Sequence, residues 1–118
     1  MPLVSTTAGP VELLDSGRGM PLLVLHGTPG GADQALAAAH VLGLPLTARV
    51  LAPSRPGYLG TPLSTGRTPG EQADAMIAVL DQLGVESAVV LGASGGGMAA
   101  VALAAQHPTR VRALVLWS

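Results

Sequence analysis

The chain has 118 residues, of which 48% are hydrophobic and 11% are charged, so it is long enough for one globular domain and too apolar to be disordered. Its net charge is -1 and its six cations are scattered arginines, which gives no support to a role in binding nucleic acid or a membrane surface. Because it contains neither lysine nor cysteine, the sequence excludes a P-loop nucleotide site, disulfides, thiol catalysis and thiolate metal sites.

No targeting or membrane segment is predicted. Met1 and Pro2 lead into a polar stretch, and not into the charged start and apolar run of a signal peptide. No run approaches the about 18 consecutive apolar residues that a membrane span requires. We therefore expect a cytoplasmic protein that binds neither nucleic acid nor membrane.

Apolar runs bounded by glycine and proline predict an alternation of strands and helices. In chain order, the sequence predicts strands at Leu3–Thr6 and Val11–Leu14, a loop at Asp15–Gly19, a strand at Leu22–Leu25, a helix at Asp33–Leu42, a strand at Ala48–Ala52, a helix after Thr68, a strand at Ala88–Leu91, a helix at Gly97–Gln106 and a strand at Arg112–Trp117. This alternation indicates the α/β class: a mostly parallel sheet with an N-terminal antiparallel hairpin and helices on both faces.

Two of the helices carry signals for their ends. Thr68 is the predicted N-cap of the longer helix, with Pro69 in the first helical position and Glu71 completing a capping box. Asp33 is the predicted N-cap of the earlier helix, which Gly43 ends.

The last predicted strand, Arg112–Trp117, is strongly apolar and lies at the end of the sequence. Such a strand is normally covered on both faces, and at an open edge it pairs with other strands. We therefore expect an incomplete sheet, truncated after about the sixth strand, whose exposed edge can self-associate. The oligomeric state does not follow from the sequence.

The segment Gly92-Ala93-Ser94-Gly95-Gly96 matches G-x-S-x-G, the nucleophile elbow that holds a serine on a tight turn between a strand and a helix. Gly92 and Gly96 lack the Cβ atoms that would clash where strand and helix approach each other, so the Ser94 hydroxyl is exposed above the sheet. Two other interpretations remain open. The segment could be a glycine-rich turn without chemistry, or a dinucleotide-binding turn, although its glycines fall as G-x-x-G-G-G and not as G-x-G-x-x-G.

A second glycine-rich segment, His26-Gly27-Thr28-Pro29-Gly30, also follows an apolar strand. An oxyanion hole needs one backbone N–H from the residue after the nucleophile and another from a loop across the site. We predict that Gly95 supplies the first and Thr28 the second. Gly27 lets the backbone approach the substrate closely, and Pro29 stiffens the loop.

Four segments together resemble the α/β-hydrolase superfamily, and their order and spacing agree over the whole chain. They are the HGxPG strand and loop at Leu23–Gly30, the loop at Ser54–Tyr58, the elbow at Ala93–Gly97 and the entry to the sixth strand at His107–Val111. The loop at Ser54–Tyr58 resembles the one that follows the fourth strand of the family, whose motif is often written D-x-R-G-x-G. The resemblance implies that residues 1–118 are the N-terminal part of a single α/β-hydrolase domain. It also implies that the triad acid, the triad histidine and the cap that shapes the substrate pocket lie beyond Ser118.

None of the three histidines is predicted to complete a triad. The family order is serine, acid, histidine, and His107, the one histidine after Ser94, lies at a helix end on the side away from the elbow, where it is predicted to be a surface or capping residue. His26 is predicted to anchor its loop by hydrogen bonding, and His40 to be exposed or partly buried. Their spacing is not that of metal ligands, so we expect no metal and no cofactor.

The sequence therefore predicts a serine hydrolase that acts on an ester, lactone or similar acyl bond of a small molecule, with Ser94 as nucleophile. We expect the isolated 118-residue chain to be poorly stable and inactive, since a missing general base costs about 10²–10⁴-fold in rate. The alternatives are acyl transfer or cofactor-free haloperoxidase activity on the same fold, and a non-catalytic binding module that uses the open strand edge.

Overall fold

The apolar runs of the sequence form one six-stranded sheet in the computed structural model, which describes residues 2–28 and 30–117. In chain order the strands are β1 (Leu3–Thr6), β2 (Gly9–Gly17), β3 (Met20–Leu25), β4 (Ala48–Pro53), β5 (Ala88–Ala93) and β6 (Val111–Trp117). Their order across the sheet is β1-β2-β4-β3-β5-β6. The β1–β2 and β2–β4 pairs are antiparallel, and the β4–β3, β3–β5 and β5–β6 pairs are parallel.

Helices cover both faces of this sheet, so the predicted α/β class, with its N-terminal hairpin, is confirmed. The helices are α1 (Ala32–Val41), α2 (Pro69–Gln82) and α3 (Gly97–Gln106). Helices α2 and α3 pack on one face, where Leu23 and Leu25 of β3 are fully buried against them. Helix α1 packs on the other face, where Val24 lies in a smaller cluster with Ala35 and Ala39. Strand β3 is therefore buried on both faces, as its unbroken apolar run predicts.

The prediction of a loop at Asp15–Gly19 is wrong. Strand β2 continues to Gly17, and Asp15 lies opposite Leu51 in the antiparallel pair with β4. The Asp15 carboxylate also accepts two hydrogen bonds from the guanidinium of Arg49, at 2.7 and 3.1 Å. Pairing with a strand more than 30 residues away outweighs the local turn signal of a polar, glycine-containing segment.

The two predicted helix starts have different outcomes. The Thr68 capping box of α2 is confirmed: the Thr68 hydroxyl accepts from the Glu71 amide, and the Glu71 carboxylate accepts from the Thr68 amide, both at 3.1 Å. The prediction that Asp33 caps α1 is wrong, because α1 already begins at Ala32. The Ala32 amide donates instead to the hydroxyl of Ser54, at 3.0 Å, so a residue of another element satisfies this helix end.

Strand β6 lies at the edge of the described sheet and pairs with β5 alone. Its side chains are poorly covered, with Leu114, Val115, Leu116 and Trp117 between 36% and 56% exposed. The predicted exposed apolar edge is present. Within residues 2–28 and 30–117, no helix is both long enough and apolar enough to cross a membrane.

Candidate active site

Ser94 lies on a tight turn between β5 and α3. Strand β5 ends at Ala93, a single 3-10 turn covers Ser94–Gly96, and α3 begins at Gly97. The backbone of Ser94 has a φ of 48°, a left-handed conformation that costs a residue with a Cβ atom about 1–2 kcal/mol. Its side chain is exposed at the carboxyl end of the parallel strands. Strain of this kind persists where the surroundings impose it, and it is common at catalytic positions.

Two glycines leave room for this turn. A Cβ atom on Gly96 would lie 2.6 Å from the carbonyl oxygen of His26, and closer still to that of Leu25. A Cβ atom on Gly92 would lie 2.7 Å from the Cβ of Ala100 in α3. Helix α3 can therefore start directly against β3 and β5 because both positions lack side chains.

The loop between β3 and α1 meets this turn. A Cβ atom built on Gly95 would lie 3.2 Å from the backbone nitrogen of Thr28, and one built on Gly27 would lie 3.4 Å from the Cβ of Ser94. The structure thus brings together Ser94, Gly95, Gly27 and Thr28, although they come from two segments more than 60 residues apart. The predicted stiffening by Pro29 lies outside the described residues.

His26 is 1% exposed, and both of its ring nitrogens have partners. The Nε2 atom accepts from the backbone amide of Arg55 at 2.9 Å, so the proton of the neutral ring is on Nδ1, which donates to the carbonyl oxygen of Gly27 at 2.8 Å. Desolvation by burial lowers the pKa of His26 below its ordinary value, and the nearby Arg55 charge lowers it further, against the bond to Gly27. This ring holds the loop, and its nitrogens are not free to take a proton from Ser94.

Arg55 and Tyr58 complete the support of the loop, and sequence reasoning gave them no role beyond the family resemblance. The Arg55 guanidinium donates to the carbonyl oxygen of His26 at 3.0 Å and to the hydroxyl of Thr28 at 2.9 Å. It also lies 4.9 Å from the ring centroid of Tyr58, which makes an edge-on contact with the His26 ring. Burial of Arg55 lowers its pKa but leaves the group fully charged. The loop is therefore tied to the end of β4.

A buried carboxylate stands behind the same loop. Glu12 of β2 is 7% exposed and accepts from the hydroxyl of Ser54 at 2.9 Å, and that hydroxyl in turn accepts from the Ala32 amide. The Glu12 amide donates to the hydroxyl of Thr61 at 2.8 Å. This network connects the N-terminal hairpin to the start of α1, and the sequence offers no local signal for it.

A cavity of about 400 Å³ lies beside Ser94, between α1 and the sheet. His26, Thr28 and Ser94 form part of its polar end. Its apolar walls include Val24, Ala35, Ala38, Leu42, Leu91 and Trp117. Space of this size with a few convergent polar groups is typical of small-molecule sites.

The other histidines lie away from this cavity. His107 follows the last residue of α3, a helix about 15 Å long, and its Nε2 is hydrogen-bonded to the Asp74 carboxylate at 2.8 Å. His40 is exposed on α1. Among residues 2–28 and 30–117, no three His, Asp or Glu side chains are grouped so that they could hold a metal ion.

Comparison with known proteins agrees with this architecture. A family model described as alpha/beta hydrolase fold matches residues 20–118. The chain is 37% identical over 107 residues to the 2-hydroxymuconate semialdehyde hydrolase of Pseudomonas putida, a match that covers 89% of this chain and 38% of that relative.

Solved structures give the same result. An alpha/beta hydrolase fold protein from Nakamurella multipartita superposes with a TM-score of 0.93 at 50% identity, over 98% of this chain and 39% of that one. An N-acyl homoserine lactonase complexed with N-butanoyl homoserine superposes with a TM-score of 0.82 at 32% identity, over 97% of this chain and 43% of that one. The chain thus spans about two fifths of the length of these relatives.

Proposed function

We propose, since this chain belongs to the alpha/beta hydrolase fold family, that it carries the nucleophile and the oxyanion hole of a serine hydrolase that cleaves an ester, lactone or similar acyl bond. The observation that carries this proposal is the strained, exposed backbone of Ser94, held at a φ of 48° beside an apolar cavity. A surface turn without chemistry would place glycine at a position with this positive φ, and here the position is held by a serine.

The geometry supports a defined first step. The Ser94 oxygen attacks the carbonyl carbon, the new C–O bond forms, and the carbonyl π electrons move onto oxygen while the serine proton passes to a general base. The backbone N–H groups of Gly95 and Thr28 hold the resulting oxyanion, and each such donor contributes about 3 kcal/mol. Helix α3 starts beside this point, so its N-terminal dipole also favours the negative charge. When the intermediate collapses, the carbonyl re-forms, the bond to the leaving group breaks, and the leaving group takes the proton from the base, which leaves an acyl-enzyme for water to cleave.

The base and its carboxylate partner are proposed to lie outside these 118 residues. His26 is ruled out by its two hydrogen bonds, and His107 by its place at the far end of α3. The matched region is 38% of the Pseudomonas putida hydrolase, which leaves ample chain in such a protein for both groups. We infer that the 118-residue chain alone is hydrolytically feeble.

The apolar walls of the cavity favour a short acyl or alkyl group on the substrate. Ala35, Ala38 and Ala39 have short side chains, which leave room for a ligand beside α1. Leu91 of the sheet lines the opposite side of the cavity. The lactonase relative was solved with N-butanoyl homoserine, whose acyl chain is of this kind. A small-molecule ester or lactone with a short acyl chain is therefore the proposed substrate class.

The exposed edge at β6 favours a second candidate, a non-catalytic module that recruits another strand. The two candidates differ in what they require of Ser94. A binding edge at β6 does not depend on the serine hydroxyl, and a hydrolase does.

Replacement of Ser94 by alanine in the intact natural protein tests the proposal. Hydrolysis of p-nitrophenyl butyrate is expected to fall by about 10⁶-fold or to the uncatalysed rate, because no nucleophile remains. Ser64→Ala is the matched control, since Ser64 is an exposed serine of a different loop, and it should hydrolyse the ester at the unaltered rate. An active Ser94→Ala protein, or an unaltered protein that cleaves no acyl probe, would refute the serine hydrolase and favour the binding module.

A further inference from the structure

The hydroxyl of Thr28 has more hydrogen-bonding capacity than its structural role uses. A threonine hydroxyl offers one donor and two acceptor positions. The Arg55 guanidinium, which can only donate, occupies one acceptor position at 2.9 Å. The Tyr58 hydroxyl lies 3.0 Å away and can either donate to Thr28 or accept from it. When Tyr58 donates, both acceptor positions of Thr28 are filled and its own O–H is free.

The Thr28 hydroxyl lies beside the backbone of Gly95. A Cβ atom built on Gly95 would collide with Thr28 Oγ1 and lie 2.9 Å from Thr28 Cβ, so the Thr28 side chain sits directly over the Gly95 backbone. Gly95 supplies one of the two proposed oxyanion donors, and the Thr28 amide supplies the other. Thr28 is exposed and lines the cavity together with Ser94.

We propose that the Thr28 hydroxyl is a third donor to the oxyanion, and therefore a catalytic residue in its own right beyond its backbone amide; this inference rests on the proposed function. In the absence of substrate, the Thr28 hydroxyl either donates to the Tyr58 hydroxyl or accepts from it. As negative charge forms on the substrate oxygen, Tyr58 donates to Thr28 and Thr28 donates to the oxyanion, and no proton is transferred.

Two features favour this arrangement in the transition state over the ground state. A hydrogen bond to an anion is roughly twice as strong as one to a neutral carbonyl. The positive guanidinium of Arg55, bonded to the same oxygen, withdraws electron density from the Thr28 O–H and makes it a better donor. The benefit therefore appears mainly as the charge develops, which raises kcat and leaves KM nearly unchanged.

Isosteric replacement of Thr28 by valine in the intact natural protein tests the inference, because it removes the hydroxyl and keeps the backbone N–H. With p-nitrophenyl butyrate as probe, kcat is expected to fall on the order of 100-fold, as for loss of one oxyanion donor, with KM within about threefold. Affinity for a trifluoromethyl ketone, which binds serine hydrolases as an anionic adduct, should fall by the same factor as kcat/KM. Thr28→Ser restores the hydroxyl and should recover most of kcat.

Thermal unfolding of each variant separates a catalytic loss from a folding loss, and Thr109→Val, which removes an exposed hydroxyl from the turn after α3, controls for the substitution itself. A Thr28→Val protein whose kcat lies within about tenfold of the unaltered one overturns the inference, since an oxyanion donor contributes more. A loss carried by KM, or one that Thr28→Ser fails to recover, overturns it equally. In those cases an inactive Ser94→Ala protein leaves the proposed function intact, whereas an active one removes both.

Discussion

Gly96 and Gly97 are neighbours with the same backbone conformation and opposite surroundings, and alanine at the two positions is expected to act in opposite directions. Both have right-handed helical backbone angles, with φ of -73° at Gly96 and -62° at Gly97, so neither requires glycine for its conformation. A Cβ atom on Gly97 meets Leu116 at an ordinary 3.7 Å. A Cβ atom on Gly96 would lie 2.6 Å from the carbonyl oxygen of His26, inside the 3.0 Å limit that real Cβ atoms respect.

The magnitudes follow from these contacts. Alanine at Gly97 removes conformational freedom from the unfolded chain and should stabilise the protein by about 0.5–1 kcal/mol. Alanine at Gly96 gives the same stabilisation through the unfolded chain, but its Cβ atom must displace backbone carbonyls at the end of β3. These carbonyls cannot rotate away as a side chain does. Overpacking of this kind costs about 1–3 kcal/mol, and the fixed carbonyls place Gly96 at the upper end, for a net loss of about 2 kcal/mol.

Urea unfolding of the two variants and the unaltered protein, followed by circular dichroism, measures the difference. The two midpoints should move apart, with Gly96→Ala below the unaltered protein and Gly97→Ala above it. In the intact natural protein, hydrolysis should also fall in Gly96→Ala alone, because the displaced His26 carbonyl accepts a hydrogen bond from Arg55. Equal midpoints for the two variants would show that the start of α3 can move away from β3, and would refute the close packing described above.

Two further predictions concern the residues that support the loop. Burial lowers the pKa of His26 in the folded protein below the ordinary histidine value of about 6.5. Below that pH the unfolded chain therefore binds more protons than the folded protein, so the free energy of unfolding should fall as the pH drops through and below that value. Urea unfolding midpoints measured against pH should fall towards low pH in the unaltered protein and in the control His40→Asn, and should fall less steeply in His26→Asn. An equally steep fall in His26→Asn would contradict the conclusion that His26 causes this pH dependence. Arg55→Lys keeps the charge but loses the planar group that reaches both His26 and Thr28, so kcat should fall by about 100-fold, and steady-state kinetics matching the unaltered protein would argue against the role of Arg55 in fixing the loop.

The sequence predicts those parts of the fold whose causes are local. The capping box at Thr68 and Glu71 involves residues three apart, and it lies where the pattern indicates. The turn at Ser94 is encoded by adjacent glycines, and the unbroken apolar run of β3 encodes its burial on both faces. The arrangement of Ser94, Gly95 and Thr28 could be predicted because parallel strands β3 and β5 end at the same edge of the sheet.

The remaining features depend on contacts that a single sequence does not show. The first amide of α1 bonds to Ser54, 22 residues away, so a search for a cap next to the helix selects Asp33 instead. The neutral form of His26 depends on the amide of Arg55, 29 residues away. A buried Glu12 beside Ser54 follows only from the pairing of β2 with β4, which also overrides the turn signal after Leu14.

The hydrogen bonds from Glu12 through Ser54 to the Ala32 amide have a consequence for how the molecule opens. Separation of β2 from β4 removes the Glu12 carboxylate that accepts from the Ser54 hydroxyl, so the hydroxyl that accepts from the Ala32 amide is no longer held in its orientation. We therefore expect the N-terminal hairpin and the start of α1 to open together, as parts of one cooperative unit. A substitution in the hairpin, on the side of the sheet remote from β6, is therefore expected to loosen the start of α1, which forms part of the wall of the cavity beside Ser94.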